Sequence, residues 1–286
     1  MDVAIRSEAL LGEGPRWDAA TGRLLWVDIE GRALHVFDST GGGDRAIPLG
    51  SRVSAAAPTE AGDVLVALAD RLAVIDLQDE SVRTLVELPH GRGMRLNDGA
   101  CDPVGRFWVG SMALDEAAGA GALYRYSRGG GLDRVLEGVT LSNGLGWSPD
   151  GTVMYYVDSM TYRVDVFDFD CDTGAVSDRR PLIAIEEGAG IPDGLAVDDE
   201  GGIWVALWGG GAVHRYGPAG ALDRVLAVPT DNVTACCFGG DDGRSLYITT
   251  ASVGLSAEQR RRQSLAGSVF VIEADVSGPP AQPFAG

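Results

Sequence analysis

One pattern recurs six times along this 286-residue chain: a glycine turn, a short apolar strand, a gap and a second apolar strand. The copies read GRLLWVD…ALHVFD, GDVLVAL…LAVID, GRFWVGS…ALYRYS, GTVMYYVD…VDVFDF, GGIWVAL…AVHRYG and GRSLYIT…SVFVIEA. Their turn glycines, Gly22, Gly62, Gly105, Gly151, Gly201 and Gly243, are spaced by 40, 43, 46, 50 and 42 residues. That period is the length of a four-stranded propeller blade. It is too long for one coil of a β-helix, and no helical period runs through the segments, which argues against helical repeats. The pattern therefore predicts an all-β chain, a six-bladed β-propeller of four-stranded blades. The 41 glycines, about twice average usage, agree with many tight turns.

The third and fifth copies end in nearly the same strand, Gly131-Leu132-Asp133-Arg134-Val135-Leu136 and Ala221-Leu222-Asp223-Arg224-Val225-Leu226. The sixth copy runs out of chain before its fourth strand. Residues 2–6, DVAIR, are unassigned at the start and are expected to supply it. Such closure removes the exposed sheet edges of an open array. A single propeller domain over residues 1–276 follows, with a Pro/Gly-rich tail at 277–286 that is expected to fray.

The formal net charge is −18, from 23 basic and 41 acidic residues. A nucleic-acid binder carries a basic face, because neutralised phosphates drive its affinity, so no nucleic-acid or anionic-membrane partner is expected. The first residues have no basic, then apolar, signal-peptide pattern, and no run of about 18 apolar residues reads as a transmembrane helix. Cys101, Cys171, Cys236 and Cys237 form no CxxC pair and no disulfide framework, so free thiols in the cytoplasm are expected. The expected oligomeric state is a monomer or a weak homo-oligomer.

The strand before each turn glycine is the innermost strand of a blade. These strands read EGPRW, SAAAP, NDGAC, NGLGW, DGLAV and TACCF. Their first residues, Glu13, Ser54, Asn97, Asn143, Asp193 and Thr234, all bear side-chain oxygen. The next positions, Gly14, Ala55, Asp98, Gly144, Gly194 and Ala235, are small in five of six, as crowding at an axis requires. Six blades bring equivalent positions together, so the oxygen-bearing row is a ring. Two carboxylates and two amides give a hard oxygen cage that suits Ca2+, Mg2+ or Mn2+ and also tolerates Zn2+ or Fe2+. The plainer reading is a polar lining for a water-filled channel. Ser54 and Thr234 are expected to be spectators. Arg95, two residues before Asn97, is placed on the loop entering the third inner strand, either binding substrate oxygens or paired with Asp98 or Asp115.

The segments LGEGPRWD (11–18), MRLNDGACDPVGRFWVGSM (94–112), SNGLGWSPDG (142–151), IPDGLAVDDEGGIWVALWGGG (191–211) and TTASVGLSAEQRRRQSLAGSVF (249–270) resemble the SMP-30/gluconolactonase/luciferin-regenerating-enzyme family, known also from regucalcin. The resemblance spans nearly the whole chain in order. It implies a calcium- or zinc-dependent lactonase acting on sugar-acid lactones. By the same resemblance Glu13, Asn143 and Asp193 hold the metal, Asp193 is also the acid/base, and Arg95 and Asn97 bind substrate. Some members contact a sugar-acid lactone through a Glu in the loop joining the middle strands of the third blade. Here that loop is 113–120, with Asp115 and Glu116 as its acids, and neither aligns with that Glu.

Other chemistries find little support. His35, His90 and His214 match no HExxH pattern, and His35 and His214 read as ordinary strand positions. Thr140-Leu141-Ser142-Asn143-Gly144 lacks the first glycine of a nucleophile elbow. The glycine runs 41–43, 129–131 and 209–211 join strands and open no helix, so they are turns. Arg260-Arg261-Arg262 follows a capping-type Ser256-Ala257-Glu258 and reads as a short solvated helix. Two alternatives to a lactonase stand: a metal-dependent phosphotriester or other ester hydrolase, and a non-catalytic calcium-binding propeller.

Overall fold

A computed structural model describes residues 1–41, 43–89, 91 and 93–286. Among these residues the strands form six four-stranded antiparallel sheets, each a blade, five of them built from strands consecutive in sequence. The innermost strands are Gly12–Asp18, Val53–Pro58, Met94–Cys101, Ser142–Trp147, Ile191–Val197 and Val233–Gly239, in blades one to six. The six turn glycines lie just past these strands and all adopt left-handed φ, between 65° and 90°, the conformation a glycine turn supplies without a Cβ clash. The N-terminal strand Asp2–Ile5 completes blade six, with Val3 opposite Phe270 and Ile5 opposite Val269. The ring is thus closed by pairing the two ends of the chain, as the unassigned DVAIR segment predicts.

Burial grades outward within each blade. Inner strands such as Val53–Pro58 are buried throughout, whereas outer strands such as Gly43–Pro48 and Leu222–Ala227 are largely exposed. The apolar residues collect between blades rather than in one central core. Leu25, Val27 and Leu34 of blade one pack on Val66, Ala73 and Ile75 of blade two, and equivalent clusters fill the other interfaces. Each interface buries the faces of two twisted sheets, so every blade is stabilised by its two neighbours.

Small residues at the axis have the predicted cause. A Cβ on Gly144 would lie 2.8 Å from the Asp193 carbonyl oxygen, and one on Gly194 would lie 2.4 Å from the Ala235 Cβ. Neighbouring inner strands therefore meet backbone to backbone at this level.

The tail departs from expectation. Residues 277–286 form a strap across the end of the channel away from the polar ring. Gly278 N donates to Gly243 O, Ala281 N to Trp17 O, Phe284 N to Pro58 O and Ala285 N to Gly105 O, at 2.8 to 3.1 Å. Phe284 is 2% exposed and stacks on Tyr126 within the interface of blades two and three. A single aromatic anchor and these backbone bonds hold a segment whose composition alone reads as loose. The helix Ala257–Arg262 matches its forecast: Ser256 caps it, with Gln259 as the reciprocal partner, and none of its residues is buried.

Candidate active site

Each inner strand breaks its register with the next strand at the ring position. The breaks fall between Glu13 and Arg16, Val53 and Ala55, Leu96 and Gly99, Ser142 and Leu145, Pro192 and Leu195, and Val233 and Ala235. A bulge frees a residue from the strand's strict alternation and re-aims its side chain. Every ring residue lies within or at the edge of one. The segments leading into two of these bulges are clamped by carboxylates from the second strand of the same blade. Asp28 accepts from Leu10 N and Leu11 N, both at 3.0 Å, and Asp158 accepts from Thr140 N at 3.1 Å and Leu141 N at 3.0 Å. Glu13 and Asn143 are therefore carried on entry segments pinned by buried side chains.

Glu13, Arg95, Asn97, Asn143 and Asp193 are all buried, none more than 9% exposed. Arg95 Nη1 donates to Asn97 Oδ1 at 2.5 Å and to Leu96 O at 3.0 Å. Asn97 Nδ2 donates to Asn143 Oδ1 and to Ser142 O, both at 2.7 Å. Asn143 Nδ2 in turn donates to Ser159 Oγ at 2.7 Å. Blades three and four are thereby linked by one run of side-chain hydrogen bonds. Ser54 and Thr234 spend their hydroxyls on neighbouring backbone, Ser54 on Asn97 O at 2.8 Å and Thr234 on Gly12 O at 2.6 Å. Both act as ties between blades.

The two ring carboxylates are poorly compensated. Among the described residues neither Glu13 nor Asp193 has a basic nitrogen within 4.0 Å, and Glu13 accepts only from Gly14 N at 3.2 Å. Burial, then the charge of Asp98, pushes the Glu13 carboxyl up to about 8, against the pull of Gly14 N, Arg95 and Arg16. Burial, then Glu13 and Asp98, holds Asp193 well above the ordinary carboxylate range. Burial also lowers the pKa of Arg95, which the nearby acids Glu13, Glu30 and Asp193 partly offset. Two buried acids repelling each other, beside an amide oxygen, form a donor set that fits a hard divalent cation. Among the described residues no group of three or more His, Cys, Asp or Glu side chains gathers as a metal cage.

Two placements differ from expectation. Arg95 is not on a loop: it lies in the strand Met94–Cys101, opposite Met112, because the strand begins earlier than the polar ring. Nor does it pair with Asp98 or Asp115. Arg16 takes Asp98, with Nη2 to Oδ1 at 3.3 Å, and Asp115 is exposed and accepts from Ala117 N at 3.2 Å in its own turn. Glu116 is exposed beside it. The buried Arg16–Asp98 pair next to the ring position Asn97 was passed over by the motif reading. Asp98 had a signal, as the one large residue in an otherwise small row; Ser159 had none.

The remaining candidates fall away from the ring. His35 stacks on Trp26 at 3.8 Å and its Nδ1 meets Asp44 at 2.7 Å, while His214 Nδ1 meets the Tyr216 hydroxyl at 3.1 Å. His90 and the middle glycine of the run 41–43 lie outside the described residues. All four cysteines are free. A cavity of about 330 Å3 follows the later halves of the inner strands, lined by Arg16, Ala100, Leu145, Leu195, Cys236 and Pro280. None of the five predicted site residues lines it. Among the described residues no helix is long and apolar enough to cross a membrane.

With this geometry in view, relatives of the chain can be compared. The family model described as "SMP-30/Gluconolactonase/LRE-like region" matches residues 11–252. The chain belongs to this family. The match takes in all five predicted site residues. Regucalcin of Gallus gallus is 38% identical over 284 residues, covering 96% of this chain and 95% of its own. The Bacillus subtilis (strain 168) protein named "Putative sugar lactone lactonase YvrE" is 35% identical over 290 residues, covering 100% and 99%. Among solved structures, the calcium-binding protein regucalcin from Agrobacterium tumefaciens superposes with a TM-score of 0.95 at 30% identity, covering 99% of this chain and 96% of that one. The family, the closed six-bladed ring and the polar axis thus agree.

Proposed function

We propose that the protein is a divalent-cation-dependent lactonase that opens sugar-acid (aldono-) lactones, with Glu13, Asn143 and Asp193 as the metal ligands. Family membership and the name of the B. subtilis relative support lactone hydrolysis in general. The observation that carries the cation is the pair of buried acids, Glu13 and Asp193, each raised by burial and each without an ion-pair partner among the described residues. Calcium is the first candidate, in keeping with the name of the Agrobacterium structure.

A lactone is an ester held in the cis geometry by its ring, so its carbonyl needs only modest activation. A divalent cation bound by these ligands supplies Lewis acidity toward that carbonyl. The protein's own part begins with Arg95 and Asn97. Among the described residues Arg95 bonds through Nη1, and its planar fork of further donors suits hydroxyl or ring oxygens of the substrate. Asn97, held between Arg95 and Asn143, fixes where those donors point, a proximity effect. Asp193 is the base. It takes a proton from the attacking water and returns it to the leaving alkoxide. Ligand and base are compatible if Asp193 binds through one oxygen and uses the other.

The test is a panel of aldonolactones and a chromogenic phosphotriester, assayed on chelator-treated protein with single metals added back. Lactone turnover that needs an added cation supports the reading. Turnover of the phosphotriester alone, or cation binding with no hydrolysis, replaces it with an ester hydrolase or a calcium-binding propeller.

A further inference from the structure

An amide side chain can serve a cation only through its oxygen, so which end of Asn143 faces the axis decides whether it is a ligand. That orientation follows from the proton inventory of its neighbours. At one end stands the Arg95 guanidinium, which has donors only. The atom of Asn97 that meets it at 2.5 Å is therefore the oxygen, and Asn97 Nδ2 must point on toward Asn143. At the other end stands the Pro192 carbonyl, which only accepts. Ser159 Oγ gives its single proton to that carbonyl at 2.6 Å. Only lone pairs remain on Ser159 Oγ, so the atom of Asn143 that meets it at 2.7 Å is Nδ2. Both ends impose the same answer: the Asn143 oxygen faces Asn97.

We propose that Ser159 is a positioning residue, which locks the Asn143 amide with its oxygen toward the cation site and ties that choice to the strand bearing Asp193. The inference rests on the cation reading above. Ser159 is suited to the task because it is itself immobile. It is 1% exposed, so water does not compete for its hydroxyl. It opens the 3-10 turn Ser159–Thr161, with its N–H on Leu141 O at 3.0 Å and its carbonyl accepting from Tyr162 N at 3.0 Å. Its acceptor, Pro192, immediately precedes Asp193 in the chain. Without Ser159 the Asn143 amide keeps the pull of Asn97 on its oxygen but loses the partner for its NH2, and the turn that presents both is uncoupled from blade five.

The experiment is calorimetric titration of Ca2+ into chelator-stripped, full-length protein, with folding of each variant checked by circular dichroism and thermal melting. Ser159→Ala is expected to weaken Ca2+ binding about ten- to a hundredfold, the usual range for losing a partner of a metal ligand. In an Asn143→Asp background the same change is expected to leave affinity within about threefold, because a symmetric carboxylate has no end to choose. Equal losses in both backgrounds would assign Ser159 a general structural role and overturn the inference. So would Ser159→Ala binding within threefold of wild type, or loss of binding in Asn143→Asp itself, since position 143 would then not act through an oxygen. If the wild-type protein binds none of Ca2+, Mg2+, Mn2+, Zn2+ and Fe2+ in the same titration, the cation reading and this inference fall together, which separates the two failures.

Discussion

Arg16 Nη2 meets Asp98 Oδ1 at 3.3 Å and holds the Gly99 carbonyl at 3.0 Å with the same nitrogen. Asp98 raises the pKa of both Glu13 and Asp193, and Glu13 raises that of Asp193, yet among the described residues only Asp98 of the three has a basic partner within bonding distance. The pair thus divides the acids into one that is neutralised within the protein and two left to share an added charge.

Removing Arg16 should expose that division. Arg16→Met leaves Asp98 buried and unpaired, and is expected to destabilise the fold by about 3 kcal/mol, the scale for breaking one side of a buried ion pair. Asp98→Asn added to it should recover part of the loss. Urea unfolding of the two single variants and the double variant measures this, and additive losses would show that the two side chains do not act as a pair.

The raised carboxyls give a pH dependence of definite sign. Glu13 moves from its ordinary value of 4.5 to about 8, so between those values the cation-free folded protein holds a proton that the unfolded chain releases. Its stabilising contribution is full below about pH 4.5 and is lost as pH rises through 8. A cation must displace that proton, so affinity should rise with pH up to about 8, by about tenfold per pH unit for each proton released. Calorimetry at pH 6 and pH 8, in buffers of different ionisation heat, reads both the affinity and the proton count. Equal affinity at the two pH values would contradict the raised pKa.

Asp193 and Arg95 should separate kinetically. Asp193→Ala is expected to abolish lactone hydrolysis, and wild-type kcat in that variant would remove its role as base. Arg95→Lys keeps the charge but loses the planar fork of donors. It should raise KM about tenfold or more with a smaller fall in kcat, as expected for lost substrate binding. A fall in kcat alone would make Arg95 part of the chemistry instead.

The C-terminal strap makes the last prediction. Phe284→Ala is expected to lower stability by about 3 kcal/mol, the lower end of the range for emptying a buried aromatic site. A tail that merely frayed would lose nothing. Thermal melting decides, and removal of residues 277–286 should lower the midpoint at least as far as the point variant.

The propeller was legible because its signal is periodic. A glycine turn and two apolar strands, repeated every 40 to 50 residues, specify a blade whatever surrounds it, and the unassigned DVAIR segment pointed to its own partner. The ring was legible for the same reason, since rotational repetition turns a row in an alignment into a circle in space. Glu13, Asn97, Asn143 and Asp193 were singled out this way, and the family resemblance implied roles for them and for Arg95. What the chain did not disclose depends on contacts between blades that no repeat encodes. Phe284 reads as one aromatic in a loose tail until blades two and three form a slot for it. Asp98 looks like a neighbour for Arg95 until the strand begins early and Arg16 reaches it from blade one. Ser159 carries no motif, and its importance lies in a single proton given to Pro192 in the next blade. Local pattern determines strands and their order, because propensity and alternation act over a few residues. Which donor meets which acceptor at the axis was decided only by tertiary structure, because those partners lie as far apart in sequence as Arg16 and Asp98 and meet only when the ring closes.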